Sequence, residues 1–136
     1  MRHMIIPLAL GVCVLAGCAR HGPVETTAEG EAQLGAQLAN YEPNGATRHC
    51  VNQRDIRSKR YAGDGAIIFE GRGSNIYVNR PPRGCPELRF GDALVHRTTM
   101  TQLCGGEIYQ IVDFRTGIER GSCILGEFEP YRRLRS

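Results

Sequence analysis

Two short apolar runs, Ala66-Ile67-Ile68-Phe69-Glu70 and Asn75-Ile76-Tyr77-Val78-Asn79, flank the polar, glycine-containing stretch Gly71-Arg72-Gly73-Ser74. Runs of β-branched and aromatic residues bounded by turn formers predict the two strands of a hairpin. Upstream, Gly63-Asp64-Gly65 carries an Asp-Gly turn signal, so residues 54–61 read as the strand that enters it. Downstream, Pro81, Pro82 and Pro86 remove three backbone donors, which a central strand cannot lose, so residues 81–86 read as a loop. Further strands are predicted at 93–97, 107–114 and 118–128, the last two joined across Arg115-Thr116-Gly117. Short strands at regular spacing predict an all-β fold, a small antiparallel barrel or sandwich.

Ahead of residue 48 the pattern changes. Residues 4–15 form an apolar run after a single cation, Arg2, and are too few to span a bilayer, which takes roughly 20 residues. The run reads as a signal peptide, and Cys13 within it as a small hydrophobe that leaves with the signal. It closes on Leu15-Ala16-Gly17-Cys18, an aliphatic residue, two small ones and a cysteine, which resembles the bacterial lipoprotein signal. The resemblance implies cleavage after residue 17 and acylation of the Cys18 thiol, and several acyl chains on one residue give stable anchoring. Ala19 in place of aspartate implies sorting to the outer membrane, facing the periplasm. The chain is thus divided into a signal peptide (1–17), a lipidated cysteine with a flexible linker (18–47) and a β domain (48–136). Leu34, Leu38 and Tyr41 fall at helical spacing, so a short helix over 29–41 is the one helical reading, weakened by Gly30 and Gly35. As a coil, the linker would hold the domain roughly 30 Å from its lipid.

A domain this small has a marginal core and needs covalent staples. Cys50, Cys85, Cys104 and Cys123 are an even set in an oxidising compartment, which predicts two disulfides. A four-thiolate zinc site is the rival, but the usual ligand pairs spaced by two to four residues are missing. If Thr116-Gly117 is a two-residue turn, Cys123 faces Gln110 and lies roughly 20 Å along the hairpin from Cys104, beyond the 7 Å reach of a disulfide. Of the two remaining pairings the nested one is favoured, Cys85 with Cys104 to pin the proline-rich loop and Cys50 with Cys123 to tie the first strand to the last.

Cys50 followed by Arg54-Asp55-Ile56-Arg57-Ser58, residues 63–69, Cys85-Pro86-Glu87-Leu88, Arg97-Thr98-Thr99, Gln102-Leu103-Cys104 and residues 123–128, in this order, resemble an uncharacterised domain-of-unknown-function family of small proteobacterial lipoproteins. These motifs are specific in combination and weak singly. The resemblance supports the domain boundary and implies no activity or cofactor.

Of 17 basic residues only Arg2 and Arg20 precede Arg48, and of 14 acidic ones only Glu25, Glu29, Glu31 and Glu42 do, so the domain carries 15 basic and 10 acidic side chains. Arg54, Arg57, Lys59 and Arg60 crowd one strand region and form a candidate anion-binding patch for lipid, lipopolysaccharide phosphate or peptidoglycan carboxylate. A solvated, edge-protecting face is the plainer reading of the same charges. Arg132, Arg133 and Arg135 form a second basic group. The envelope compartment argues against nucleic acid as a partner. His49 and His96 have no carboxylate or metal partner evident in sequence, Asp64 and Asp92 sit beside glycines in turn contexts, and Thr98, Thr99 and Thr101 are ordinary strand residues that could present hydroxyls. The pattern offers no catalytic constellation, metal-ligand set or cofactor motif. Two readings follow: a non-enzymatic binding or envelope-assembly module reaching an envelope protein or an anionic glycan or lipid, or an inhibitor of a secreted hydrolase such as a lysozyme. An inhibitor of a basic lysozyme should be acidic, which this domain is not.

Overall fold

The computed structural model describes residues 27–63 and 65–135. The signal segment with Cys13, the acylation candidate Cys18, Ala19 and the turn residue Asp64 lie outside the described residues. The elements run α1 (Ala28–Leu38), β1 (Tyr41–Pro43), β2 (Cys50–Asn52), a 3-10 turn (Gln53–Asp55), β3 (Ser58–Tyr61), β4 (Ile67–Glu70), β5 (Asn75–Asn79), β6 (Asp92–Val95), β7 (Gln102–Cys104), β8 (Ile108–Asp113), β9 (Glu119–Ile124) and β10 (Phe128–Arg133). All strand pairs are antiparallel, in a five-stranded sheet ordered β1-β10-β5-β4-β3, a two-stranded sheet β2-β7 and a three-stranded sheet β6-β8-β9. The expectation of an all-β fold with two disulfides holds, and the sheets stack as a sandwich without closing into a barrel.

The continuous apolar run of β4 follows from its position. Successive strand side chains point to opposite faces, so Ile67 and Phe69 enter the core shared with the two smaller sheets, while Ile68 faces the other way. There, α1 covers Ile68, Ile76 and Val78 with Leu34 and Leu38. A strand that buries both faces reads as uninterrupted hydrophobicity. Phe69 lies at the centre of the shared core, edge-on to Tyr109 at 6.1 Å and to Phe128 at 5.4 Å. The buried Asn79 clamps the chain before β10: its amide donates to the Gly126 carbonyl and its Oδ1 accepts from the Gly126 N–H, both at 2.8 Å. A Cβ on Gly126 would overlap the Arg80 carbonyl, so the approach requires glycine.

Three expectations are corrected. The flexible linker does not extend to residue 47: α1 is capped by Thr27, whose Oγ1 accepts from Gly30 N at 3.1 Å, and β1 pairs with β10. Leu34 is 2% exposed, so docking on the sheet supplies the stability that Gly30 and Gly35 deny an isolated helix.

The second correction is the disulfide pairing, which interleaves. Cys50 joins Cys104 (Cα to Cα 4.0 Å) and Cys85 joins Cys123 (5.3 Å). Cys50 stands directly opposite Cys104 because β2 and β7, each three residues long, pair with one another. Strands that short carry no readable period. The proline-rich loop is pinned as expected, but to β9 across the core and not to Cys104. These four sulfurs are committed to disulfides, so they do not form the four-thiolate zinc site.

The third correction is the β8-β9 register. Cys123 faces Tyr109, not Gln110, because a bulge at Ile111/Val112 and a turn longer than two residues shift the ladder. The same hairpin reading missed β10, because residues 118–128 do not form one strand: β9 ends at Ile124.

Candidate functional site

Strand alternation disperses the expected basic patch. Lys59 stands opposite Phe69 and Arg60 opposite Ile68, so the two point to opposite faces of the sheet. The Lys59 ammonium lies 4.9 Å from the Tyr109 ring centre, donates to the Leu94 carbonyl at 3.3 Å, and has its pKa lowered by burial. Arg60 turns toward α1, bonding Gln37 Oε1 and Glu70 Oε1, the latter at 3.0 Å. Arg54 sits on the 3-10 turn, where Asn52 caps its N–H at 3.0 Å. Of the four, Arg57 lines a cleft together with residues distant in sequence.

That cleft, of about 400 Å³, opens at the end of the five-stranded sheet where the β4-β5 turn meets β1 and β10. Gly73 takes a positive φ of 66° and Gly71 N–H bonds the Asn75 carbonyl at 2.9 Å, which closes the hairpin tightly enough to leave the space open. Arg57 is fixed by its N–H to the Glu70 carbonyl at 2.8 Å, and Arg133 by its N–H to the Ser74 carbonyl at 2.9 Å. The Arg133 guanidinium lies over the Tyr41 ring, 5.9 Å from its centre. Glu70, the carboxylate at the rim, is engaged by Ser58 Oγ at 2.6 Å and by Arg60. Arg57 and Arg133 have no carboxylate partner among the described residues. A neighbouring cleft of about 500 Å³ shares Ser74, Asn75 and Arg133 and adds Arg135, while Arg132 in its wall is neutralised by Glu42 at 2.8 Å. Across the two clefts, Arg57, Arg133 and Arg135 stand with Ser74 and Asn75, while Glu70 and Glu42 are taken up by Arg60 and Arg132, chemistry suited to phosphate or carboxylate oxygens.

His49 and His96 each find a carboxylate through tertiary folding. His49 Nδ1 lies 2.8 Å from Glu127 Oε1 at an exposed site. His96, with its side chain only 8% exposed, approaches Glu107 Oε2 at 2.8 Å, out of line for a hydrogen bond, and its Nδ1 has no partner among the described residues. Its ring stacks on Tyr109 at 4.7 Å, and burial together with the Glu107 charge holds the Tyr109 hydroxyl well above its ordinary pKa. Glu107 is committed through Oε1 to Cys104 N–H at 3.0 Å, so this cluster braces the β7-β8 connection beside a disulfide. The Thr98 hydroxyl accepts from Met100 N–H at 3.0 Å and closes a local turn. Among the described residues no three His, Cys, Asp or Glu side chains gather as a metal centre.

Tyr41, Ser74 and Arg133 are the cleft residues that the sequence did not mark as a site with Arg57. Arg133 was visible as part of a basic tail, but only the β1-β10 and β10-β5 registers bring it to the β4-β5 turn. No protein-family model, curated protein or solved structure matches the chain.

Proposed function

We propose that this protein is an outer-membrane lipoprotein facing the periplasm, anchored through Cys18, whose sandwich is a binding module for a phosphate- or carboxylate-bearing envelope molecule. The observation that carries the binding part is the pair Arg57 and Arg133, held by backbone bonds at the rim of one cleft with no ion-pair partner among the described residues, the cleft's Glu70 being engaged by Arg60. Planar guanidinium forks match anionic oxygens in bidentate fashion, and Ser74 and Asn75 add neutral polar groups beside them. Leu15-Ala16-Gly17-Cys18 supports the anchor, and two disulfides suit an oxidising compartment. The resemblance to small proteobacterial lipoproteins favours the same location. A cationic cleft argues against the alternative, an inhibitor opposing a basic lysozyme, because like charges disfavour that encounter.

The binding reading is tested by titrating the protein with inorganic pyrophosphate and, separately, with a muropeptide bearing free carboxylates. Saturable binding of either probe that weakens as salt rises is expected, since exposed charges are screened within about 8 Å at physiological ionic strength. Failure of both probes to bind at low salt would overturn the cleft assignment. The anchor is tested by palmitate labelling: Cys18→Ser should abolish it, and persistent labelling would remove the anchor from the account.

A further inference from the structure

Phe90, Phe114 and Ile118 are 93%, 81% and 64% exposed, and the strand register brings them to one end of the three-stranded sheet. β6 opens at Asp92 opposite Asp113, the last residue of β8, and β9 opens at Glu119 opposite Val112. Phe90 lies two residues before β6, Phe114 one after β8 and Ile118 one before β9.

Local hydrogen bonds hold this end in shape. Asp113 Oδ1 accepts from the N–H groups of Arg115 at 2.8 Å and Thr116 at 3.1 Å, and Asp113 N–H donates to the Ile118 carbonyl at 2.9 Å. Asp92 accepts from Arg89 N–H at 2.9 Å and so closes the loop that carries Phe90. Arg120 bonds Asp113 and lies 3.8 Å from Asp92, which directs both carboxylates inward. Glu119 is drawn along the sheet by Gln110 Nε2 at 3.2 Å. Arg89 and Arg115, by contrast, have no carboxylate partner among the described residues. Three apolar side chains therefore project from braced turns, with the unpaired cations Arg89 and Arg115 beside Phe90 and Phe114 and the exposed Glu119 carboxylate beside Ile118.

We infer that this end of the molecule inserts into the interfacial layer of an anionic phospholipid bilayer. Aromatic and aliphatic side chains flanked by arginine combine apolar burial with attraction to anionic headgroups. A protein partner fits less well: large aromatic side chains bury about 150–250 Å² each, so three projecting residues fall short of the roughly 800 Å² per partner of a stable interface. This contact uses the envelope location proposed above but neither the Arg57 and Arg133 cleft nor acylation. It would orient the sandwich against the membrane instead of leaving it free on its tether.

The chain contains no tryptophan, so a single Phe114→Trp reports on the tip alone. In the full chain bound to phosphatidylglycerol-containing vesicles, its emission should shift to the blue and be quenched by lipids brominated on their acyl chains. Leu134→Trp, at the cleft end, should not be quenched. Adding Arg89→Glu and Arg115→Glu to Phe114→Trp should reverse the shift, and zwitterionic vesicles should give at most a weak one. Adding Arg57→Gln and Arg133→Gln should leave it intact, which separates this test from the cleft reading. Because the readout is local to vesicle-bound chain, loss of the anchor at Cys18 changes how much chain binds and not whether bound chain is quenched at 114. Unquenched, water-exposed emission at 114 in vesicle-bound chain would overturn the proposal. So would a concentration-dependent blue shift in the absence of lipid, which would identify a second copy of the chain as the partner.

Discussion

The five-stranded sheet is buried on both faces at β4 and β5, whereas the three-stranded sheet buries one face and leaves its end bare. In β4, Ile67, Ile68 and Phe69 are all fully buried, because the two smaller sheets cover one side and α1 the other. In β8 only Tyr109 and Ile111 are buried, and β9 contributes Cys123 with little else. The difference divides the labour of the molecule. The covered sheet supplies the stability and, at its rim, a fixed cationic cleft. The half-covered sheet is tied by the Cys85–Cys123 bridge to the proline-rich loop that follows β5, and it presents an apolar end.

That division is broken most severely at the bridge. Closing a loop with a sequence separation of 38 contributes roughly 4 kcal/mol by chain-entropy scaling, most of the margin of a small domain. Cys85→Ala with Cys123→Ala, both buried, should leave the protein largely unfolded at 37 °C by circular dichroism. Removing Cys50 and Cys104, which are only half-buried at the edge of the core, should cost less although their separation is 54. On the helix side, Leu34→Ala should lower stability by about 2–4 kcal/mol in denaturant melts and raise hydrogen exchange in α1 first. A loss below about 1 kcal/mol would mean that α1 is not part of the folded unit. Asn79→Leu should cost about 1–3 kcal/mol, because the half-buried Gly126 N–H and carbonyl then lose their side-chain partners.

The smallest expected effect lies at the tip. The Arg120 hydrogen bond, with the N–H groups of Arg115 and Thr116, holds the Asp113 carboxyl down to about 2 from its ordinary 3.8. A depressed carboxylate contributes stability in full above 3.8 and loses it as pH falls through about 2. The exchange protection of the Arg115 and Thr116 amides should therefore persist at pH 4 and fade toward pH 2. Asp113→Asn should lack that pH dependence, and an equal fade in both proteins would assign it elsewhere.

How far the sequence revealed this arrangement depended on how much period each element carried. The β4-β5 hairpin was legible because five-residue runs of branched and aromatic side chains leave little choice of state. β2 and β7 were not, since three residues define no alternation, and without them the partner of Cys50 could not be read. β10 was hidden by Pro130, which argues against an inner strand. It is tolerated because its carbonyl accepts from Asn44 N–H at the point where β1 ends, so the missing donor faces the end of that short pairing. Proximity in sequence also misled at the basic cluster. Lys59 and Arg60 are adjacent in the chain and therefore face opposite ways in a strand, while Arg57 and Arg133 meet across 76 positions.

The central claim is that the cleft, and not the sequence cluster, binds anions. Pyrophosphate titration of two double variants at low salt tests it directly. Arg57→Gln with Arg133→Gln should weaken binding by about tenfold or more, because hydrogen bonds to charged groups contribute roughly 1.5–3 kcal/mol each. Arg54→Gln with Lys59→Gln should leave the affinity within about twofold, since neither side chain lines the cleft and the Arg60–Glu70 pair at its rim stays intact. The reverse pattern, or an equal loss in both variants, would contradict the account.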